Sequence, residues 1–181
     1  MTFQPVVFPT LETERLILRG WREDDHHVIS EIWSDEKNAK YIGGPMDKWT
    51  AWRHLATIIG HWQMRGFGAF CVERKSDGKG LGWVGPWKPY AWPENEILYS
   101  LVPQAHGHGY AVEAVRASLL FSYNELGWET AVSYIDVDNI ASQKVANRLG
   151  AVHDGDTDLD GRFAVQVWRY PSSADLRKDA A

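Results

Sequence analysis

At 181 residues, with 44% apolar and 24% charged side chains, the chain can bury one core and is too apolar to stay disordered. A net charge of −5 without a basic cluster argues against a nucleic-acid partner, and the single cysteine, Cys71, permits neither an internal disulfide nor a cysteine-built metal cage. No apolar stretch approaches ~20 residues, and the opening residues lack a basic segment followed by an apolar run, so no membrane partner is expected and the expected compartment is the cytoplasm.

Residues 1–10 hold two prolines and no periodicity, which predicts an extended start. Leu11 to Arg19 reads as a first strand. Glu23, Asp24 and Asp25 then supply acidic caps for a helix over His26 to Ser34, with Val28, Ile29, Ile32 and Trp33 on its apolar face. His26 and His27 are adjacent, point in different directions on a helix and make a poor metal pair. Thr50 is the expected N-cap of a helix from Ala51 to about Arg65, whose apolar residues recur at three- and four-residue spacing. Strands over Ala69–Arg74 and Leu81–Trp87 flank a hairpin turn at Ser76 to Gly80.

Ten tryptophans are unusual, and Trp83, Trp87 and Trp92 lie close together beside a Pro- and aromatic-rich loop. Most of the ten are expected in the core, while a loop cluster also fits a pocket or interface.

A fourth strand covers about Glu96 to Val102, and Pro103, which has no N–H for a ladder, ends it. A long helix follows from about Gly107 to Leu126, then a fifth strand over Glu129–Val137 and a helix from its cap Asn139 to Gly150. A short sixth strand at Ala151–Asp154 and a last strand at Arg162–Tyr170 complete the pattern. The expected architecture is α/β: residues 11–170 form one domain around a single mixed, mostly antiparallel sheet of about seven strands flanked by helices. Residues 171–181 are small and charged, and are expected to be a mobile tail.

The most informative stretch is the passage from the fourth strand through Gly107-His108-Gly109 into the long helix. A helix start leaves N–H groups unpaired and attracts phosphate, and glycines let backbone approach a ligand closely. A dinucleotide fingerprint needs a third glycine where Val112 stands, so a nucleotide-binding oxidoreductase fits poorly.

The wider pattern Gln104-x-x-Gly107-x-Gly109-Tyr110-Ala111-x-Glu113-Ala114 resembles the acyl-CoA pyrophosphate loop of the GNAT superfamily of N-acetyltransferases. Asn139-x-x-Ser142-x-x-Val145-x-x-x-Leu149-Gly150-Ala151 is similar to its second signature. The pair, with Thr13-Glu14-Arg15-Leu16-x-Leu18-Arg19, looks most like the RimJ/RimL-like branch, which acetylates protein N-termini and small amines. The resemblance implies acetyl-CoA as co-substrate, an amine acceptor, no metal, and a cleft where strands four and five splay apart. It implies pyrophosphate contacts from the N–H groups of His106, Gly107, His108, Gly109, Tyr110 and Ala111, and an oxyanion-binding N–H at Leu101 or Val102. Asn139 and Ser142 are implied to touch the CoA arm, Glu113 reads as structural on the long helix, and homodimers are common among such relatives.

Acetyl transfer needs a neutral amine, donors for the oxyanion, and a proton or hydroxyl for the departing thiolate. Glu96 is the candidate base, sharing a strand face with Leu98, Ser100 and Val102; a strand-edge glutamate paired with lysine or arginine is the structural alternative. Many GNAT enzymes place a thiolate-protonating tyrosine where this chain has Ala146, which leaves Ser142, Tyr134 or water. A non-catalytic acyl-CoA-binding or sensor module is therefore the alternative reading. Cys71, in a strand without an adjacent base, is expected to be a buried inert thiol.

Overall fold

Eight short runs of β-forming residues pair into one sheet in a computed structural model that describes residues 7–161 and 163–178. The strands are β1 (Leu11–Glu12), β2 (Leu16–Arg19), β3 (Phe70–Arg74), β4 (Gly80–Trp87), β5 (Glu96–Leu101), β6 (Val132–Ile135), β7 (Val152–Leu159) and β8 (Phe163–Arg169). Their spatial order is β1-β2-β3-β4-β5-β6-β8-β7, and every neighbouring pair is antiparallel except β5 with β6. The helices are α1 (His26–Ser34), α2 (Glu36–Ala39), α3 (Lys48–Arg65), α4 (Tyr110–Asn124), α5 (Ile140–Arg148) and α6 (Ser173–Lys178).

The mixed, mostly antiparallel sheet is as expected, with one strand more than the seven anticipated. The extra strand arises because Leu11–Arg19 is a hairpin, not a single strand. Thr13 turns the chain, its N–H donating to the Leu16 carbonyl and its hydroxyl oxygen accepting the Leu16 N–H, both at 3.0 Å. α1 has the expected bounds. α3 starts earlier than expected because Asp47, not Thr50, is the cap; its carboxylate accepts the Thr50 N–H at 2.7 Å. The fifth expected strand contracts to β6, and the short sixth lengthens into β7 because it finds β8 as a partner along its length. The long helix begins only at Tyr110, after a single 3-10 turn at Pro103–Ala105.

The segment after Pro171, expected to be a mobile tail, instead carries α6. Leu176 is fully buried, and the Arg116 guanidinium donates to its carbonyl. Residues 179–181 and the first six residues lie outside the described part of the chain.

The two sheet faces carry different helices. On one, Phe70 meets Phe121 of α4 edge to face, with ring centroids 5.5 Å apart, beside the buried Val84, Ile97 and Leu119. On the other, Trp33 of α1 stacks between His54 of α3 and Trp83 of β4 at 4.4 and 4.8 Å. Trp83 is therefore core. Cys71 is fully buried, and burial pushes its thiol well above the usual range, in keeping with an inert thiol.

The sheet opens in the middle. β5 and β6 share one register pair, Glu96 with Val132, and then part. Hydroxyls seal the parting from behind: Ser133 Oγ donates to the Ile97 carbonyl at 2.6 Å and shares a 2.9 Å hydrogen bond with Tyr170 Oη.

β4 backs the open edge of β5 through Gly82. A Cβ at Gly82 would lie 2.1 Å from the Ser100 carbonyl oxygen and 2.7 Å from Leu101 Cα, so only glycine lets the two strands approach this closely. Gly82→Ala is expected to destabilise the fold by on the order of 2–4 kcal/mol. Chemical denaturation would show it as a lower midpoint at an unchanged slope; an unaltered midpoint would refute the close-approach argument.

Candidate active site

The parting of β5 and β6 forms a cleft of about 450 Å³, walled by β5, residues 105–112, one side of α5 and a strap over residues 37–42. The strap is tied at both ends. Asn38 Nδ2 donates to the Leu101 carbonyl at 3.1 Å, and the Tyr41 hydroxyl donates to the Asp138 carbonyl at 3.2 Å.

The β5 backbone has a defined polarity here. Val102 N–H donates to the Leu81 carbonyl at 2.8 Å, which makes Val102 and Leu81 a hydrogen-bonded pair of the antiparallel ladder. Alternation then turns the N–H groups of Leu101 and Tyr99 away from β4 and toward the cleft. Of the two expected oxyanion donors, Val102 is thus already engaged, and Leu101 remains. The Leu101 carbonyl accepts from Asn38 and from His106 Nε2, the latter at 3.0 Å, so its orientation is held from two sides.

At the far end of the cleft, α4 starts without any side-chain cap. Gly107 and Gly109 both have φ of +79°, a left-handed conformation that favours glycine. The first-turn N–H groups of α4 consequently have no side-chain acceptor and face the cleft, which is an anion site ready made. α5 differs: Asn139 Oδ1 accepts the Ser142 N–H at 3.1 Å, so the Asn139 side chain acts as a cap while also lining the cleft.

Leu101, His106, Gly107, Gly109, Tyr110, Ala111, Asn139 and Ser142 all line the cleft. Gln104 and His108 do not: Gln104 is exposed, and the His108 ring stacks on Tyr110 at 5.6 Å. Ala146 is buried and brings no hydroxyl. The residue that sequence reasoning missed is Tyr99, whose hydroxyl donates to the Ser142 carbonyl at 2.9 Å on the cleft wall. Strand alternation with Ile97 and Leu101 was the available signal. The strap was also missed, because nothing local in residues 37–42 says which surface they cover.

Glu96 stands at the closed end of the parting, on the opposite sheet face from Tyr99. It is 7% exposed and accepts from Trp92 Nε1 at 2.5 Å. The expected alternative, a pair with lysine or arginine, is not what forms: among the described residues Glu96 has no cationic partner within salt-bridge distance. Burial pushes its carboxyl up to about 7, against the stabilising hydrogen bonds from Trp92 and the Tyr134 backbone. Of the loop tryptophans only Trp92 reaches this carboxylate; Trp87 stacks on His61 at 4.1 Å. No group of three or more potential metal-ligating side chains comes together among the described residues, and no helix there is long and apolar enough to cross a membrane.

A mixed sheet parted between a parallel pair, with an uncapped glycine-flanked helix start at the opening, is the geometry of a CoA-dependent acyltransferase. Residues 15–152 match the acetyltransferase (GNAT) domain family, and the chain belongs to it. It is an acetyl-CoA-dependent acetyltransferase. The chain is 25% identical over 156 residues to the uncharacterized N-acetyltransferase YoaA of Bacillus subtilis, covering 82% of this chain and 86% of that protein. An acetyltransferase structure from Agrobacterium tumefaciens superposes with a TM-score of 0.81 at 28% identity, covering 95% of this chain and 99% of that one. RimL, a ribosomal L7/L12 alpha-N-protein acetyltransferase solved in complex with coenzyme A, shares the fold at 18% identity with a TM-score of 0.74, covering 92% of this chain and 100% of that one.

Glu96 makes stability depend on pH in a calculable direction. Its folded value of about 7 exceeds the ordinary 4.5, so the stabilisation from its protonated form is full below pH 4.5 and is lost as pH rises through about 7. Glu96→Gln removes that loss. Between pH ~5 and ~8 the variant should gain on the wild type by on the order of 2–3 kcal/mol, read as a growing difference in Tm. A pH-independent difference would contradict a buried, elevated carboxyl.

Proposed function

We propose that this acetyltransferase moves the acetyl group of acetyl-CoA directly to a primary amine, with Glu96 as the base that receives the amine's proton. The observation that carries the reading is a cleft with backbone donors at both ends: uncapped amides of α4 for the pyrophosphate and the Leu101 N–H for the oxyanion. The acyl donor enters from the face of α4 and α5, and the amine reaches the parting from the face that carries Glu96 and Trp92. A carboxyl near 7 is suited to take a proton at neutral pH, and because five residues of strand, roughly 16 Å, separate Glu96 from Leu101, the proton reaches it along a file of waters.

The departing thiolate meets Ser142 on the α5 side, whose hydroxyl stands in for the tyrosine absent at Ala146, while the Tyr99 hydroxyl is held on the Ser142 carbonyl. For the acceptor we favour a protein N-terminus or a small-molecule amine, the range of the RimJ/RimL-like branch. Trp92 beside Glu96 favours a cationic amine, which an indole face attracts before deprotonation.

Calorimetry with acetyl-CoA, beside CoA and NAD, tests the cofactor. A Cβ at Gly107 meets no atom within 4 Å but is strained by the φ of +79°, so Gly107→Ala controls for the strain and Gly107→Glu adds a charge that opposes the pyrophosphate. Binding of both CoA species, no binding of NAD, and loss in Gly107→Glu are expected. Thiol release with N-terminal peptides and polyamines then identifies the acceptor. Glu96→Gln should lower kcat by ~10²–10⁴-fold and abolish the limb near pH 7 while leaving acetyl-CoA affinity unchanged. Binding without turnover of any amine would leave an acyl-CoA sensor instead, and a folded wild type that ignores acetyl-CoA would end the cofactor reading.

A further inference from the structure

The anion site at the start of α4 is held from outside by the β1–β2 hairpin, about a hundred residues earlier in sequence. Glu113, in the first turn of α4, accepts three hydrogen bonds from that hairpin and a further ion-pair contact from Arg15 Nη2. Its Oε1 takes the Thr13 hydroxyl at 2.6 Å and the Arg15 backbone N–H at 2.8 Å, and its Oε2 takes Arg15 Nε at 2.7 Å and Nη2 at 2.6 Å. The remaining guanidinium nitrogen, Nη1, reaches past Glu113 and donates to the His108 carbonyl at 2.9 Å. The guanidinium also lies 4.7 Å from the centroid of the Tyr110 ring.

The contact with His108 decides where an amide points. In a planar trans peptide the carbonyl of one residue and the N–H of the next point in opposite directions. Holding the His108 carbonyl toward Arg15 therefore turns the Gly109 N–H away from Arg15, toward the cleft that Gly109 lines. The peptide joins His108 to Gly109, whose φ of +79° and missing Cβ leave rotation on that side little steric resistance, so the orientation needs an anchor. Glu113 sets a second requirement. A carboxylate one turn into α4 would oppose a diphosphate at the helix start, and the guanidinium across it cancels that charge.

We propose that Arg15 is a positioning residue for the diphosphate of the acyl donor. It locks the 108–109 peptide so that the Gly109 amide faces the phosphates, and it neutralises Glu113 beside them. The inference rests on the acetyl-CoA reading above. It separates from a merely structural role because its effect is confined to donors that carry the diphosphate.

The test compares acetyl-CoA with S-acetylpantetheine, which has the thioester and pantetheine arm but no diphosphate. Arg15→Ala should weaken CoA binding by ~10–100-fold and raise KM for acetyl-CoA to match, with kcat within ~3-fold, since charge-assisted hydrogen bonds are the stronger class. Its kcat/KM for S-acetylpantetheine should stay within ~2-fold of wild type. Arg15→Lys keeps a charge beside Glu113 but cannot span Glu113 and the His108 carbonyl together; it should keep the wild-type Tm and recover only part of the CoA affinity. If Arg15→Ala does not fold, Arg15→Lys must by itself show the split between the two donors. Equal losses with both donors, or unchanged CoA affinity in either variant, overturn the proposal. A folded wild type that turns over S-acetylpantetheine yet has no affinity for CoA overturns the diphosphate site itself, and this role with it.

Discussion

Everything about the site depends on two strands that stop pairing. β5 and β6 meet at Glu96 and Val132 and nowhere else in register, so the backbone groups beyond that point are released from the sheet and face a cleft. Unpaired backbone inside a fold is costly, and here the released Ile97 and Leu101 carbonyls have side-chain partners. Ser133 satisfies the Ile97 carbonyl, Asn38 and His106 satisfy the Leu101 carbonyl, and the Tyr99 hydroxyl bridges β5 to the Ser142 carbonyl. The Leu101 and Tyr99 N–H groups are left turned toward the cleft.

The parted strands also separate two chemistries. On the α4 and α5 side the site is built from backbone amides and hydroxyls, suited to an anionic, extended donor. On the opposite face a buried carboxylate sits beside an indole, with no cation within salt-bridge distance among the described residues. Keeping Glu96 dry raises its proton affinity into the neutral range and costs the fold stability whenever it ionises. An arginine partner would make the same glutamate more stabilising and a weaker base.

Support for the loop comes from far away. Through Thr13 and Arg15 the β1–β2 hairpin holds Glu113 and the His108 carbonyl, so the first described strands of the chain brace the helix start that follows the fifth. This division of labour explains why Arg15 and Glu113 both belong to motifs without either one lining the cleft.

Much of this was legible in the residues themselves. Pro103, the glycines at 107 and 109, and the helix formers after them dictate a strand, a turn and an uncapped helix, because these preferences are local. The Asn139 cap and the bounds of α1 were readable for the same reason. What only the tertiary structure decided is which groups face one another. Thr13 turned an apparent strand into a hairpin, and Leu176 drew the segment after Pro171 into the core. The Leu81 carbonyl claimed the Val102 amide, and Trp92 rather than a cation met Glu96. Each of these outcomes joins residues distant in sequence or depends on strand register, and neither local propensity nor composition encodes register.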